Sequence, residues 1–334
     1  MSRRIVFLPG DGIGPEVAAE AVRVLERLPV DVQVEEHDFG GVAIDRHGDP
    51  LPAGTLAACA GADAVLMGAV GGPQYDRGEV RPEQGLIRLR RELDVYANLR
   101  PARLGDVDLL IVRELVGGLY YGARGTRPDG TVYDTLEYHP DAVRRIVRRA
   151  FELARGRRRH LTSVDKANVL LTSRMWRGVV DEVAPDYEDV ERVDALVDSV
   201  AMRLVTEPQA FDVLVMENTF GDILSDVAAG ATGGLGLAAS ASLGDGAPGL
   251  FEPVHGSAPE LAGRGVANPA AMLRSVALML RHALDEPGLA EALDAAVDAA
   301  LAAAPTPDLG GGASTRELAD AALDALVVPE ASWT

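Results

Sequence analysis

Asp222 and Asp226 lie four residues apart in the run Gly221-Asp222-Ile223-Leu224-Ser225-Asp226. On a helix that spacing puts both carboxylates on one face, where two like charges repel. A divalent cation would offset the repulsion, and ligands that are all oxygen favour Mg²⁺ or Mn²⁺ over zinc. The competing reading is a solvated acidic face, which an acidic chain offers in many places. Phe220, Ile223 and Leu224 around the pair argue against plain exposure. Three arginines form a second set: Arg90 in Leu89-Arg90-Arg91, Arg100 in Ala97-Asn98-Leu99-Arg100-Pro101, and Arg113 directly after the apolar run Leu109-Leu110-Ile111-Val112. An arginine that follows a buried strand stands at a sheet edge, and its guanidinium can hold a carboxylate through two parallel bonds. Lys166 follows another apolar run, and a lysine beside cations gives up its proton more readily and can act as a base.

Two glycine-bearing segments are more ambiguous. Gly10-Asp11-Gly12-Ile13-Gly14-Pro15 sits between a strand and a helix, as a dinucleotide loop should. It lacks the last glycine of that fingerprint, because Pro15 stands there; Pro15 suits the first turn of a helix, so the segment reads as a tight strand-to-helix turn. Glu252-Pro253-Val254-His255-Gly256-Ser257-Ala258-Pro259-Glu260 is either an ordinary loop or a nucleotide cradle. The six histidines show no zinc-ligand spacing.

These groups need a scaffold. Apolar runs at 5–8, 32–34, 64–68, 160–164 and 211–216 alternate with helical periods at 16–27, 55–60 and 140–153. That alternation predicts an α/β fold with a largely parallel sheet. Pro128-Asp129-Gly130 predicts the turn of a hairpin within 119–138. The C-terminal part predicts helices at 271–284, 289–302 and 314–326, and glycine clusters at 230–236 and 244–249 mark loops or a domain crossing. Aromatics make up 4% of the chain, so the core must rest on Ala, Val and Leu. The Arg157-Arg158-Arg159 run reads as solvated surface.

Bulk properties exclude several classes. A formal charge of -19 over 334 residues repels nucleic acid and anionic lipid. The single cysteine, Cys59, rules out a disulfide within the chain and reads as a small buried hydrophobe. The first apolar run is too short for a signal peptide or a membrane span, so a cytoplasmic protein is expected.

Taken together and in order, the segments GDGIGPEV, GAVGGP, ANLRP, TSVDKANVL, FGDILSD and EPVHGSAPE resemble the β-decarboxylating dehydrogenases, the family that oxidises isopropylmalate, isocitrate, homoisocitrate and tartrate. The resemblance runs from Ile5 to the last helix. It implies a two-domain α/β fold of the isopropylmalate/isocitrate dehydrogenase kind: a mixed sheet with helices on both faces, and not a standard Rossmann fold. Residues 1–95 with 233–334 would bind the cofactor, and 96–232 would hold substrate and metal and form the dimer, with a protruding hairpin arm. Leu86, Ile87 and Val169 would face the substrate side chain, where an apolar pocket suits a branched alkyl group. The segment Arg113-Glu114-Leu115-Val116-Gly117-Gly118-Leu119-Tyr120 also follows the isopropylmalate branch.

The resemblance further implies that Arg90, Arg100 and Arg113 clamp the malate carboxylates. Asp222 and Asp226, with Asp198, would bind Mg²⁺ or Mn²⁺. Lys166 would take the hydroxyl proton and Tyr120 would return one to carbon. Glu83 would lie near the nicotinamide. Ile13, His255, Gly256, Ser257, Ala258, Glu260, Leu261 and Asn268 would cradle NAD, because an acid at 260 accepts from ribose hydroxyls but repels a 2′-phosphate. Lys166, Val169 and Asp198 would reach the site from the partner of a homodimer. Departures from the family pattern are Glu260 in place of aspartate, Ser199 after the metal aspartate, and Leu171-Thr172 in place of a polar pair; they leave room for a related alkylmalate. Sibling readings are a homoisocitrate or a D-malate enzyme, and Leu86 and Ile87 argue against the first more than the second. A metal-dependent lyase without redox chemistry would leave the 252–260 stretch without purpose, and a binding protein would have no need of Lys166 and Tyr120.

Overall fold

The computed structural model describes residues 2–246 and 248–329. The chain begins with β1 (Arg3–Gly10), α1 (Gly14–Arg27), β2 (Val32–Glu36), α2 (Gly41–His47), α3 (Ala53–Ala60), β3 (Ala64–Ala69) and α4 (Pro82–Glu92). The middle carries β4 (Ala97–Leu104), β5 (Val107–Glu114), β6 (Arg124–Thr126), β7 (Val132–Asp134), α5 (Pro140–Arg155), β8 (His160–Asp165), α6 (Leu171–Val183), β9 (Glu191–Leu196), α7 (Val197–Thr206), β10 (Val213–Met216) and α8 (Asn218–Ala231). It closes with β11 (Ala239–Leu243), β12 (Gly249–Pro253), α9 (Ala270–His282), α10 (Pro287–Ala303) and α11 (Thr315–Ala325). Two compact units result, one running to Asp94 and resuming at Leu235, the other spanning Val95–Gly234.

In the first unit the strand order is β2-β1-β3-β12-β11, parallel except for β11, which runs antiparallel to β12. β1 and β3 are buried apolar runs because a parallel strand has both faces covered. The core there gathers Val6, Leu8, Phe39, Leu51, Val65, Met67, Leu89 and Cys59. Cys59 is fully buried, and burial pushes its thiol up to about 12, as expected of an inert packing residue. In the second unit the order is β4-β5-β10-β8-β9, with β4 antiparallel to β5 and the rest parallel. The architecture is therefore mixed α/β, as the alternating pattern predicts. The separate pair β6–β7 is closed at the Pro-Asp-Gly turn, where Arg127 and Thr131 bond through their backbones and Gly130 adopts a φ of +88°.

Differences from the sequence reading have local causes. The strand expected from 211 begins at Val213, because Phe211 ends a preceding short turn. The arginine run is not uniformly solvated. Arg157 bonds the carboxylate of Asp212, which is 1% exposed, and also Asp108, so it anchors the buried end of a strand. Among the described residues no helix is long and apolar enough to cross a membrane.

Candidate active site

The second unit brings four of the charged candidates together. β4 and β5 are paired so that Asn98 lies opposite Arg113. Residues opposite one another, and those two apart along a strand, share a face of the sheet. Asn98, Arg100 and Arg113 therefore project to the same side, toward α8. Arg113 donates to Asp222 through Nη1, and to Asn218 Oδ1 through Nε at 2.9 Å and Nη2 at 2.7 Å. Arg100 Nη1 lies 3.6 Å from Asp222 Oδ1 and 3.5 Å from Asp226 Oδ1, and donates to Ser225 Oγ at 2.6 Å, while its Nε donates to Asn98 Oδ1 at 2.9 Å. Both guanidiniums are buried; the Asp222 and Asp226 side chains are 38% and 55% exposed. The acidic face of α8 is thus backed by two buried cations, and its two aspartates remain partly exposed to solvent. Gly221 makes this possible, since a methyl group there would come within 2.5 Å of Arg113 Cγ.

Tyr120 enters from the turn after β5. Its hydroxyl donates to Asp222 Oδ2 at 2.7 Å, and the Arg113 guanidinium lies 5.6 Å from its ring centre. Burial, reinforced by the Asp222 carboxylate, pushes the Tyr120 hydroxyl up to about 12, so it keeps its proton at neutral pH.

Lys166 and Asp198 form a separate pair. Lys166 Nζ is 2.5 Å from Asp198 Oδ1, and that bond holds the Asp198 carboxyl below its ordinary range. The Lys166 backbone N–H donates to Ser173 Oγ at 3.0 Å, and Asp165 beside it accepts two bonds from Arg177. Asp198 does not join Asp222 and Asp226: among the described residues no three acidic, histidine or cysteine side chains of one chain could hold a metal ion. Two carboxylates, one facing solvent more than the other, offer hard oxygen donors suited to Mg²⁺ or Mn²⁺ and leave coordination positions open. Val169, in the turn after Lys166, is exposed.

In the first unit α4 carries Glu83, Leu86, Ile87 and Arg90, which at three- and four-residue spacing form one stripe. Leu86 leans partly on the core, and Arg90 donates to the buried carboxylate of Glu252 at 2.8 Å. The 255–268 stretch is tied to the glycine turn after β1. Ile13 N–H donates to Ser257 O at 2.8 Å, and Gly12 packs so closely on Ser257 that a Cβ would meet its carbonyl oxygen at 2.0 Å. Asp11 serves as that turn's own anion, accepting from the N–H groups of Gly41, Val42 and Gly71 at 2.8, 3.0 and 2.9 Å. His255 Nδ1 lies 3.0 Å from Gly256 O, so Nδ1 carries the hydrogen and Nε2 presents a lone pair. That Nε2 is buried and has no partner, and burial holds the ring neutral. A buried acceptor without a donor fits a ligand amine such as the exocyclic amino group of adenine. Ala258, at a φ of +35°, turns the loop there; Gly256 and Glu260 are exposed, Leu261 is half-buried, and Asn268 is held by Asp308 and Ala270.

Several polar residues of the second unit escape sequence reasoning. Glu114 and Glu217 are buried on either side of Tyr138. Glu114 accepts from the N–H groups of Val116 and Gly117, and Glu217 caps α8 by accepting from Thr219 and Phe220. Their only signal in the sequence is position, one acid at the end of each of two apolar strands. Burial pushes the Glu114 carboxyl from its ordinary 4.5 up to about 7. A carboxyl raised in the folded state lends stability that is full below about 4.5 and is lost as pH climbs through 7. The shift corresponds to on the order of 3 kcal/mol. Glu114→Gln keeps an acceptor for the two amides and never ionises. Relative to this variant, the wild type is expected to lose stability between pH 5 and 8 in urea unfolding; parallel curves would remove Glu114 as the source.

Comparison with known proteins places the chain among relatives. The family model described as isocitrate/isopropylmalate dehydrogenase matches residues 4–322. The chain is 49% identical to a 3-isopropylmalate dehydrogenase of Anaeromyxobacter dehalogenans, covering 98% of this chain and 100% of the relative. It is 47% identical to one of Streptococcus thermophilus at the same coverage. The crystal structure of isocitrate dehydrogenase from Methylococcus capsulatus superposes with a TM-score of 0.90 at 38% identity, covering 97% of this chain and 99% of that one. With the arginine-backed carboxylates of α8 in place, this chain belongs to the isocitrate/isopropylmalate dehydrogenase family of β-decarboxylating dehydrogenases.

Proposed function

We propose that the chain catalyses NAD⁺-linked oxidative decarboxylation of 3-isopropylmalate to 4-methyl-2-oxopentanoate and CO₂, a step of leucine biosynthesis. The observation that carries the substrate assignment is the α4 stripe, in which Leu86 and Ile87 stand beside Arg90. An apolar patch next to a guanidinium suits a carboxylate that bears a branched alkyl group. Relatives named for this substrate, at 47% and 49% identity, support the same reading.

The roles follow from chemistry. Arg90 in the first unit, and Arg100 and Arg113 in the second, supply cations for the malate carboxylates. Asp222, Asp226 and Asp198 would hold Mg²⁺ or Mn²⁺, while Glu83, Ile13 and the residues from His255 to Asn268 would hold NAD. When bound, these groups supply Lewis acidity at the hydroxyl oxygen and an acceptor for hydride. Lys166 Nζ, as the neutral amine, accepts the hydroxyl proton, and Tyr120 Oη holds the proton destined for the carbon that CO₂ leaves. Leu86 and Ile87 shed water from the alkyl group. The exposed Glu260 carboxylate favours NAD over a cofactor with a 2′-phosphate.

A homodimer completes this reading. Asp198 stands apart from Asp222 and Asp226 in one chain, and Val169, Leu171, Met202, Val205 and Ile223 form exposed apolar surface on and around α6, α7 and α8. The test is NADH absorbance with Mn²⁺, NAD⁺ and 3-isopropylmalate, D-malate or homoisocitrate in turn. 3-Isopropylmalate is expected to give the highest kcat/KM, ahead of D-malate by roughly tenfold or more for the buried alkyl carbons. Fastest turnover of D-malate would overturn the substrate, and no NADH with any of the three would overturn the redox chemistry.

A further inference from the structure

Asn218 is fully buried, yet both polar atoms of its side chain are used. Its Oδ1 accepts both Nε and Nη2 of Arg113, at 2.9 and 2.7 Å. Its Nδ2 donates to Leu115 O at 3.2 Å and Gly117 O at 2.9 Å, and its backbone N–H donates to Tyr138 Oη at 3.0 Å. The carbonyls it holds belong to the segment that leads from Arg113 to Tyr120. That segment packs closely against Tyr138: a Cβ on Gly117 would come within 2.5 Å of the Tyr138 ring, and one on Gly118 within 2.6 Å of its hydroxyl. Gly118 also adopts a φ of +75°, which glycine takes without strain. One amide thus fixes the guanidinium at one end of the segment and the turn carrying Tyr120 at the other, and both ends meet again on Asp222.

We propose that Asn218 is a positioning residue that sets Arg113 and Tyr120 in one fixed relation, so that the proton held on Tyr120 is aligned with the substrate that Arg113 binds. The proposal rests on the roles assigned above to Arg113 and Tyr120. A packing residue would affect only how much protein is folded. A positioning residue affects kcat in folded protein, because a displacement of about 1 Å at a reacting group can cost on the order of 100-fold.

Two variants separate the two halves of the amide. Asn218→Asp keeps an oxygen acceptor for Arg113 but loses both donors to the Leu115 and Gly117 carbonyls. Asn218→Ala loses every side-chain bond and keeps only the backbone N–H donation to Tyr138. Each is compared with wild type for kcat, for the Michaelis constants toward isopropylmalate and toward NAD⁺, and for the solvent deuterium isotope effect on kcat; the folded fraction is read from thermal unfolding. Expected for Asn218→Asp is a 10- to 100-fold fall in kcat, Michaelis constants within about threefold of wild type, and a larger isotope effect as proton delivery from Tyr120 becomes slow. Asn218→Ala should in addition raise the Michaelis constant for isopropylmalate and leave that for NAD⁺ alone. Wild-type kcat in folded Asn218→Asp, or a fall in kcat that merely tracks the folded fraction with an unchanged isotope effect, overturns the proposal. Wild-type turnover of isopropylmalate is measured first, so failure of the substrate reading shows there and not in the variants.

Discussion

Replacing Asp222 with asparagine is expected to lower turnover by at least about 10³-fold while leaving the protein folded. Asp222 is where the second unit's chemistry converges. One of its oxygens receives Arg113 and comes within 3.6 Å of Arg100; the other receives the Tyr120 hydroxyl. Asparagine is the same size but supplies one acceptor where two are used, and turns an NH₂ group toward either a guanidinium or a hydroxyl. It also removes the charge that would draw a divalent ion between α8 and the substrate. Removing one preorganised electrostatic partner from a reaction centre costs about 10²–10³, and weakening a metal site adds to that. Stability should fall but not collapse, because Arg113 and Arg100 are buried and lose a carboxylate, while Asn218 still holds Arg113 and Asp226 and Ser225 still face Arg100. Two measurements check this: NADH production at saturating Mn²⁺, and the rise of the thermal midpoint on adding Mn²⁺, which wild type should show and Asp222→Asn should lose. Turnover within tenfold of wild type, or an unchanged Mn²⁺ effect, would remove Asp222 from the metal site.

What the sequence discloses of this molecule depends on how strongly one physical signal dominates each segment. β1 and β3 are legible because strands covered on both faces read as unbroken apolar runs. β4 is not, since Asn98, Arg100 and Pro101 interrupt it, and yet these interruptions are what equip it to face α8. β9, with Glu191, Arg192 and Asp194 on a partly exposed edge, carries no such run either. The same contrast holds in the site. The spacing of Asp222 and Asp226 is visible to anyone who places them on a helix. The partner that holds Arg113 is not, because Asn218 lies 105 positions away and becomes its neighbour only when β5 and α8 pack. Glu114 and Tyr138 are hidden for the same reason, as a buried acid cannot be told from an exposed one until its surroundings are known. Asp11 shows the reverse. Its turn is legible as a turn, but only the three amide donors from Gly41, Val42 and Gly71 reveal why an acid stands there.

Mixing two inactive variants is expected to restore activity. Suppose Asp222→Asn and Lys166→Met are each nearly dead alone, and are unfolded together and refolded at equal concentration. If each active site takes Asp222 from one subunit and Lys166 from the other, a heterodimer has one site that carries both lesions and one that carries none. Random pairing makes half of the dimers mixed, so activity should reach about a quarter of wild type for a twofold-symmetric dimer. If instead a site draws both residues from a single chain, every site in every dimer keeps one lesion, and the mixture stays as inactive as its components. The structure supplies the grounds for expecting the first result. Lys166 is bound to Asp198 at 2.5 Å, that aspartate is 66% exposed on α7, and no third acid joins Asp222 and Asp226 among the described residues of one chain. In the dimer proposed above, the Lys166–Asp198 pair, beside exposed Val169 and Leu171, would serve the neighbouring subunit's site. Lys166→Met preserves the length and apolar stem of the side chain, so loss of the base is separated from loss of packing. Recovery near a quarter of wild type in the mixture, with each variant alone below about a hundredth, would establish the sharing; a mixture no better than its components would place the whole site within one subunit.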